Sequence, residues 1–61
     1  METSNRSKVR VGMKVRLPAN HANSPGKEAI VVFCGAYQCR VRLIHEPRET
    51  WAFSDDVEII G

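Results

Sequence analysis

The sequence has few of the residues that build metal centres, cofactor sites or membrane spans. It contains two cysteines and two histidines. Cys34 and Cys39 lie far in sequence from His21 and His45, so the ligand spacing of a structural zinc site is absent. No apolar run approaches the ~20 residues that a membrane-spanning helix needs. We therefore expect no metal, no cofactor and no insertion into a membrane.

Aromatic residues and acid–base groups are also scarce. The chain has one Trp, one Tyr and two Phe, which is too few for a complete aromatic cage around a quaternary ammonium group. His45 with its neighbour Glu46, and the pair Asp55–Asp56, are patterns typical of exposed turns. A chain of 61 residues offers little room for a cleft that shifts pKa values for acid–base work. We expect that this protein is not an enzyme.

The two cysteines flank a predicted turn at residues 35–37. A disulfide can form between Cys34 and Cys39 if the strand register makes them partners. The polar residues 1–7 are not followed by the apolar segment of a secretory signal. We therefore interpret the cysteines as reduced thiols in a soluble, cytoplasmic protein.

What the chain does have is the periodicity of β-strands. From residue 9 onward one face of the first strand is apolar and the other is basic. The apolar face holds Val9, Val11, Met13, Val15 and Leu17, and the basic face holds Lys8, Arg10, Lys14 and Arg16. Gly12 is expected to mark a bulge or bend in this strand. Residues 1–7 show no periodicity, so we predict a disordered tail there and a single domain over residues 8–61.

The central segment, residues 26–44, predicts a β-hairpin around which the other strands are arranged. We predict strands near residues 13–17, 28–34, 38–45, 49–54 and 57–60. The Pro-, Asn- and Gly-containing residues 18–26 form a long first loop. Residues 54–56 form a short turn or a single 3₁₀ turn before the last strand. The fold class is all-β.

The second strand is apolar on both faces if it alternates strictly. Ala29, Val31 and Phe33 would then share one face, and Ile30, Val32 and Cys34 the other. One interpretation is that a face meets a protein partner or a second copy of this chain. The other is that the strand is bent, contributes to two sheets and is covered by the first loop. Trp51 and Phe53, two residues apart, are expected to be core or rim residues.

Four stretches of the chain together resemble a known group of folds. They are residues 11–16, 26–31, 41–42 and 51–60, which resemble the Src-homology-3-like small barrels of bacterial proteins. This group includes KOW and Tudor-like modules, a small barrel protein of photosystem I, the ferredoxin–thioredoxin reductase variable chain and the nitrile hydratase β-subunit. The resemblance implies a five-stranded barrel but no single activity. Ala29 departs from the Gly of KOW motifs, and the Val-Gln-Ile-Tyr motif of type II dihydrofolate reductases is absent.

The leading functional hypothesis is a non-catalytic module that binds the nucleic acid backbone through a basic strand face. In this hypothesis Tyr37 and Trp51 provide aromatic surfaces on which bases stack. The candidate contact residues are Lys8, Arg10, Lys14, Arg16, Arg40, Arg42 and Tyr37. The interpretation without a binding function is a solvated strand face on which Glu28 or Glu58 balances the charge of Lys14 and Arg16.

The alternative is an accessory subunit that binds protein, similar to the electron-transport barrels. Its candidate interface is Ile30, Val32 and Trp51, together with the loop at residues 18–26. In this case the apolar outer positions of the second strand would be covered by the partner. The chain itself would be a monomer or a weak homodimer.

Overall fold

The computed structural model describes residues 8–61, and the tail predicted for residues 1–7 lies outside them. Five strands follow one another along the chain: β1 (Lys14–Arg16), β2 (Glu28–Cys34), β3 (Gln38–Leu43), β4 (Glu49–Phe53) and β5 (Glu58–Ile59). They form one antiparallel sheet in the order β4-β3-β2-β1-β5. The predicted number, order along the chain and approximate bounds of the strands are confirmed.

The inner face of this sheet carries the hydrophobic core. Alternate residues of β3, namely Cys39, Val41 and Leu43, point to it, as the period of a strand requires. The core consists of ten apolar residues, each at most 5% exposed: Val9, Val15, Leu17, Ala29, Val31, Cys39, Val41, Leu43, Ala52 and Val57. Most are small or β-branched, so the core is built from Val, Leu, Ala and Cys rather than from aromatic rings.

A β-bulge in β2 changes which side chains face outward. Val31 pairs with Val41, but the next pair is Phe33 with Arg40, so the register shifts by one residue at Val32. Phe33 is thereby moved to the outer face, where it is 52% exposed. The prediction that Phe33 shares a face with Ala29 and Val31 is wrong, because strict alternation ends at the bulge. The alternative in which this strand contributes to two sheets is also wrong, because all five strands belong to one sheet.

A tight turn before β1 interrupts the first amphipathic pattern. Gly12 has a φ of 95°, a conformation that favours glycine, and the Met13 N–H donates to the Arg10 carbonyl across the turn (3.1 Å). Val11 lies in this turn and is 62% exposed. The prediction that Val11 shares a buried face with Val9 and the residues of β1 is therefore wrong, whereas the bend predicted at Gly12 is confirmed.

The sheet has two edges, at β4 and at β5. No pairing closes β4 onto β5 within residues 8–61, so the five strands are described as one open sheet. Between these strands the chain makes a short turn in which the Asp56 N–H donates to the Phe53 carbonyl (3.0 Å). The part of the chain that the structure describes contains no helix, and therefore none that could span a membrane.

The long first loop runs from the end of β1 to the start of β2. Its two ends are held together where the Leu17 N–H donates to the Lys27 carbonyl (2.8 Å) and the Gly26 N–H donates to the Pro18 carbonyl (3.1 Å). Gly26 has a φ of 70°, which the predicted turn at residues 25–26 requires. These two hydrogen bonds therefore close the loop at its base.

Candidate functional site

All four aromatic side chains of the protein lie outside the core. Trp51 is 44% exposed, Phe33 52%, Phe53 55% and Tyr37 64%. Large apolar rings at this exposure forgo the burial that normally holds them in the interior. We call these four residues the aromatic face. Of the two positions expected for Trp51 and Phe53, core or rim, the core is excluded, since the small Ala52 and Ser54 take the buried positions of that segment.

Strand pairing places part of the aromatic face in one row across three strands. Phe33 of β2 pairs with Arg40 of β3, and Arg40 pairs with Trp51 of β4. The rings of Phe33 and Trp51 meet edge to face, with centroids 6.1 Å apart and planes at 80°. The Arg40 guanidinium lies over the Trp51 ring, 4.9 Å from its centroid. These contacts hold Trp51 in place without burying it.

Three shallow grooves meet at Trp51. The first, of about 340 Å³, lies between the long loop and β4 and is lined by Pro18, Asn20, His21, Trp51, Phe53 and Asp56. The second is lined by Gln38 and by all four rings of the aromatic face. The third is lined by Val32, Phe33, Arg40, Glu49 and Trp51. The charged groups that line these grooves are the Arg40 guanidinium and the carboxylates of Glu49 and Asp56. The surface is otherwise mostly apolar and is not strongly cationic.

His21 fixes the loop wall of the first groove. Its Nδ1 accepts hydrogen bonds from the backbone N–H groups of Asn23 (3.2 Å) and Ser24 (3.0 Å), so Nδ1 carries no proton. Its Nε2 lies 2.8 Å from the Trp51 carbonyl and donates to it. This carbonyl faces away from β3, because β4 is an edge strand. The neutral imidazole thus joins the loop to the strand that carries Trp51.

The predicted basic residues of β1 are paired with acids. Arg16 contacts Glu28 at 3.1 Å and Glu58 at 3.3 Å, and Lys14 lies 3.7 Å from Glu28. The hydrogen bond from Arg16 lowers the pKa of the Glu28 carboxyl below its ordinary value and raises the pKa of Arg16 itself. The charges of Lys14 and Arg16 are thus balanced by Glu28 and Glu58, as the interpretation without a binding function expected.

The basic residues of β3 share one acid of the neighbouring strand. Arg42 contacts Glu49 at 3.1 Å, and Arg40 lies 3.8 Å from the same carboxylate. Arg40 and Arg42 both point outward, as alternation predicts. The outer face of the sheet therefore carries charges of both signs rather than a purely cationic stripe, with the basic residues on β1 and β3 and their acidic partners on β2, β4 and β5.

The remaining predicted nucleic-acid contacts lie apart from this face. Lys8 and Arg10 are exposed, but they belong to the segment before the Gly12 turn and not to β1. Arg10 donates to the Val9 carbonyl (3.3 Å). Tyr37 lies at the tip of the β2–β3 hairpin, as predicted, and is the most exposed ring of the aromatic face. The structure thus does not gather the seven candidate residues into one cluster.

The predicted protein-interface residues are only partly brought together. Ile30 is partly buried, and its cross-strand partners on the outer face are Lys14 and Arg42. The aliphatic stems of such long side chains cover apolar neighbours. Val32 is the bulge residue and lines the third groove with Trp51. Val32 and Trp51 therefore belong to one surface, while Ile30 lies further along the sheet.

Sequence reasoning missed Phe33 and Phe53 as members of the exposed surface. Nothing in the sequence indicates that Phe33 faces outward, because its outward position depends on the bulge at Val32. For Phe53 the sequence does give an indication: it alternates with Ala52 and Ser54, which are small enough for a tightly packed interior. Within residues 8–61 no group of three or more His, Cys, Asp or Glu could hold a metal ion.

No protein-family model, no curated protein and no solved structure matches this chain.

Proposed function

We propose that this protein is a small, non-catalytic binding module that docks a protein partner through its aromatic face. The observation that carries the proposal is the placement of every aromatic ring of the chain on one exposed surface around Trp51. Tryptophan, tyrosine and arginine are the residues that contribute most to binding energy in protein interfaces. Burying these rings against a partner recovers the hydrophobic free energy that the isolated chain forgoes.

The proposed fold is a small barrel of the Src-homology-3-like kind. The support is the burial of the inner face: ten apolar side chains are at most 5% exposed, although residues 8–61 provide no helix to cover them. A flat sheet would leave such a face in water, so the sheet must curve over its own core. The bulge at Val32 supplies a site for that curvature.

The chemistry of the grooves favours a protein over a nucleic acid. Arg40 is their guanidinium, and it is paired with Glu49, whereas Asp56 contributes a carboxylate that repels phosphate. The partner surface should therefore be apolar at its centre, with neutral or cationic groups at its rim to face Asp56. This is the accessory-subunit hypothesis, with the interface moved from Ile30 to the aromatic face.

Nucleic acid binding is the second candidate, because four cations lie on the outer face of β1 and β3, the two strands that flank β2: Lys14, Arg16, Arg40 and Arg42. Phosphates would have to compete with Glu28, Glu49 and Glu58 for them. Such binding would weaken steeply as salt concentration rises. Apolar docking at the aromatic face would depend much less on salt.

The test is affinity capture with matched variants. Tagged wild-type protein, Trp51→Ala and Ile44→Ala are used as baits in an extract treated with nuclease. Ile44 is a suitable control because it is 39% exposed but follows β3, at the end opposite Tyr37. A specific protein retained by wild type and Ile44→Ala but lost with Trp51→Ala supports docking. Equal retention by all three variants contradicts it.

A parallel titration separates the two candidates. Trp51 is the single tryptophan, so its fluorescence reports directly on the aromatic face. Mixed-sequence single-stranded DNA and RNA are added at low and at physiological salt. Binding that disappears with salt and with Arg42→Ala would support the nucleic acid candidate. The protein-docking proposal predicts no saturable fluorescence change at physiological salt.

A further inference from the structure

The two cysteines lie opposite one another on adjacent strands. Cys34 of β2 pairs with Cys39 of β3. The turn between them is closed where the Gly35 N–H donates to the Gln38 carbonyl (2.8 Å). Antiparallel ladders alternate, so the pair next to Gly35 and Gln38 is a non-hydrogen-bonded pair. In such pairs the Cα atoms are about 4.5 Å apart, within the roughly 4.4–6.8 Å that disulfides span.

Independent contacts place both sulfurs on the same side of the hairpin. The bulge at Val32 turns Cys34 inward, where it packs against the core beside the fully buried Cys39. Burial raises the pKa of the Cys39 thiol, and charge on the neighbouring Cys34 sulfur raises it further. The Cys34 Sγ is the more accessible of the two and donates to the Val9 carbonyl at 3.5 Å.

We propose that Cys34 and Cys39 form a reversible cross-strand disulfide, with a small-molecule disulfide such as oxidised glutathione as the oxidant. The Cys34 thiolate attacks one sulfur of glutathione disulfide, whose S–S bond breaks and releases one glutathione thiolate. Cys39 then loses its proton and attacks the Cys34 Sγ, releasing the second glutathione. The two cysteines are oxidised by two electrons, and one glutathione disulfide is reduced to two thiols that take up the protons.

The order of attack follows from the burial of the two sulfurs. Cys34 meets the oxidant first, because Cys39 has no exposed surface. Cys39 acts as the resolving thiol, and its raised pKa makes the second step faster as pH rises. The mixed disulfide should therefore be a short-lived intermediate at alkaline pH and a longer-lived one at acidic pH.

The disulfide would lock the hairpin that supports the aromatic face. It closes a ring over the turn that carries Tyr37 and fixes Cys34 directly after Phe33. It also removes the Cys34 S–H donor from the Val9 carbonyl. Closing so short a loop is expected to raise the folding equilibrium constant on the order of thirty-fold. Any effect on partner binding rests on the proposed function, whereas disulfide formation does not.

The experiment equilibrates the wild-type protein with graded ratios of oxidised to reduced glutathione. Intact mass spectrometry follows the products at two protein concentrations. The expected product is a monomer that has lost two hydrogen masses, is restored by dithiothreitol and forms at a ratio independent of protein concentration. The oxidised form should also unfold at a higher urea concentration. Cys34→Ser is the control, and it should give neither change because it keeps only the buried thiol.

Three results would overturn the proposal. One is a stable glutathione adduct on Cys34 at alkaline pH, since Cys39 would then be unable to reach it. Another is a disulfide-linked dimer as the main product. The third is an oxidised monomer that unfolds at the same or a lower urea concentration than the reduced protein, which would mean that the bridge does not fit the native hairpin.

Discussion

Replacing His21 by alanine tests the link between the long loop and the aromatic face. The substitution removes three hydrogen bonds at once: two that Nδ1 accepts from the backbone of Asn23 and Ser24, and one that Nε2 donates to the Trp51 carbonyl. It leaves the Ser24 N–H, in a residue with no exposed surface, without its acceptor. An unsatisfied buried donor costs more than the mean hydrogen bond contributes.

The expected cost follows from these bonds. Each contributes about 0.5–1.5 kcal/mol, and since His21 is partly exposed we take a total of about 2 kcal/mol. For a domain of this size the melting temperature should fall by roughly 10 °C. Urea unfolding followed by circular dichroism measures the free energy, and Trp51 fluorescence reports whether the groove beside it has opened to water.

The second histidine of the chain provides the matched control. His45 is exposed in the turn after β3, so His45→Ala should change the free energy of unfolding by less than about 0.5 kcal/mol. Equal effects of the two substitutions would refute the role of His21. So would a His21→Ala protein whose stability and Trp51 fluorescence match those of wild type.

Two further predictions concern the core and the ion pairs. Val31→Ala and Val41→Ala, at side chains no more than 1% exposed, should each cost roughly 1–3 kcal/mol in urea unfolding, and near-zero costs would mean that the inner face is misassigned. Arg16 lowers the pKa of Glu28 below its ordinary value of 4.5, so this pair stabilises the fold above that pH, and its contribution is lost as pH falls further. Glu28→Gln should therefore flatten the dependence of stability on pH below about 5, and an unchanged acid limb would contradict the assignment.

Much of the strand layout could be predicted from the sequence because the local signals agree with one another. The apolar run of β2, the alternation of β3 and the glycine turns each favour the structure that forms. The alternating Arg40 and Arg42 are outward and Val41 is inward, as predicted. These features depend on short-range preferences, which a single sequence displays directly.

The candidate site was harder to predict because it depends on pairing between strands. The bulge at Val32 inverts the faces of Phe33 and Cys34, and strict alternation along β2 gives no sign of it. The ion pairs of Glu49 with Arg40 and Arg42 need the β3–β4 register. Alternation left Trp51 between core and rim, and the structure decides for the outer face, where Trp51 is 44% exposed while Ala52 is buried.

Site-specific photo-crosslinking tests most directly whether the aromatic face docks a protein. Phe53, which is 55% exposed, is replaced by the photoreactive analogue p-benzoylphenylalanine, and Ile44 is replaced in a control variant. Irradiation in the producing cell should link the protein at position 53, and not at 44, to a discrete protein partner identified by mass spectrometry. The account is contradicted if the crosslinks at position 53 are to nucleic acid, or if both positions give the same products.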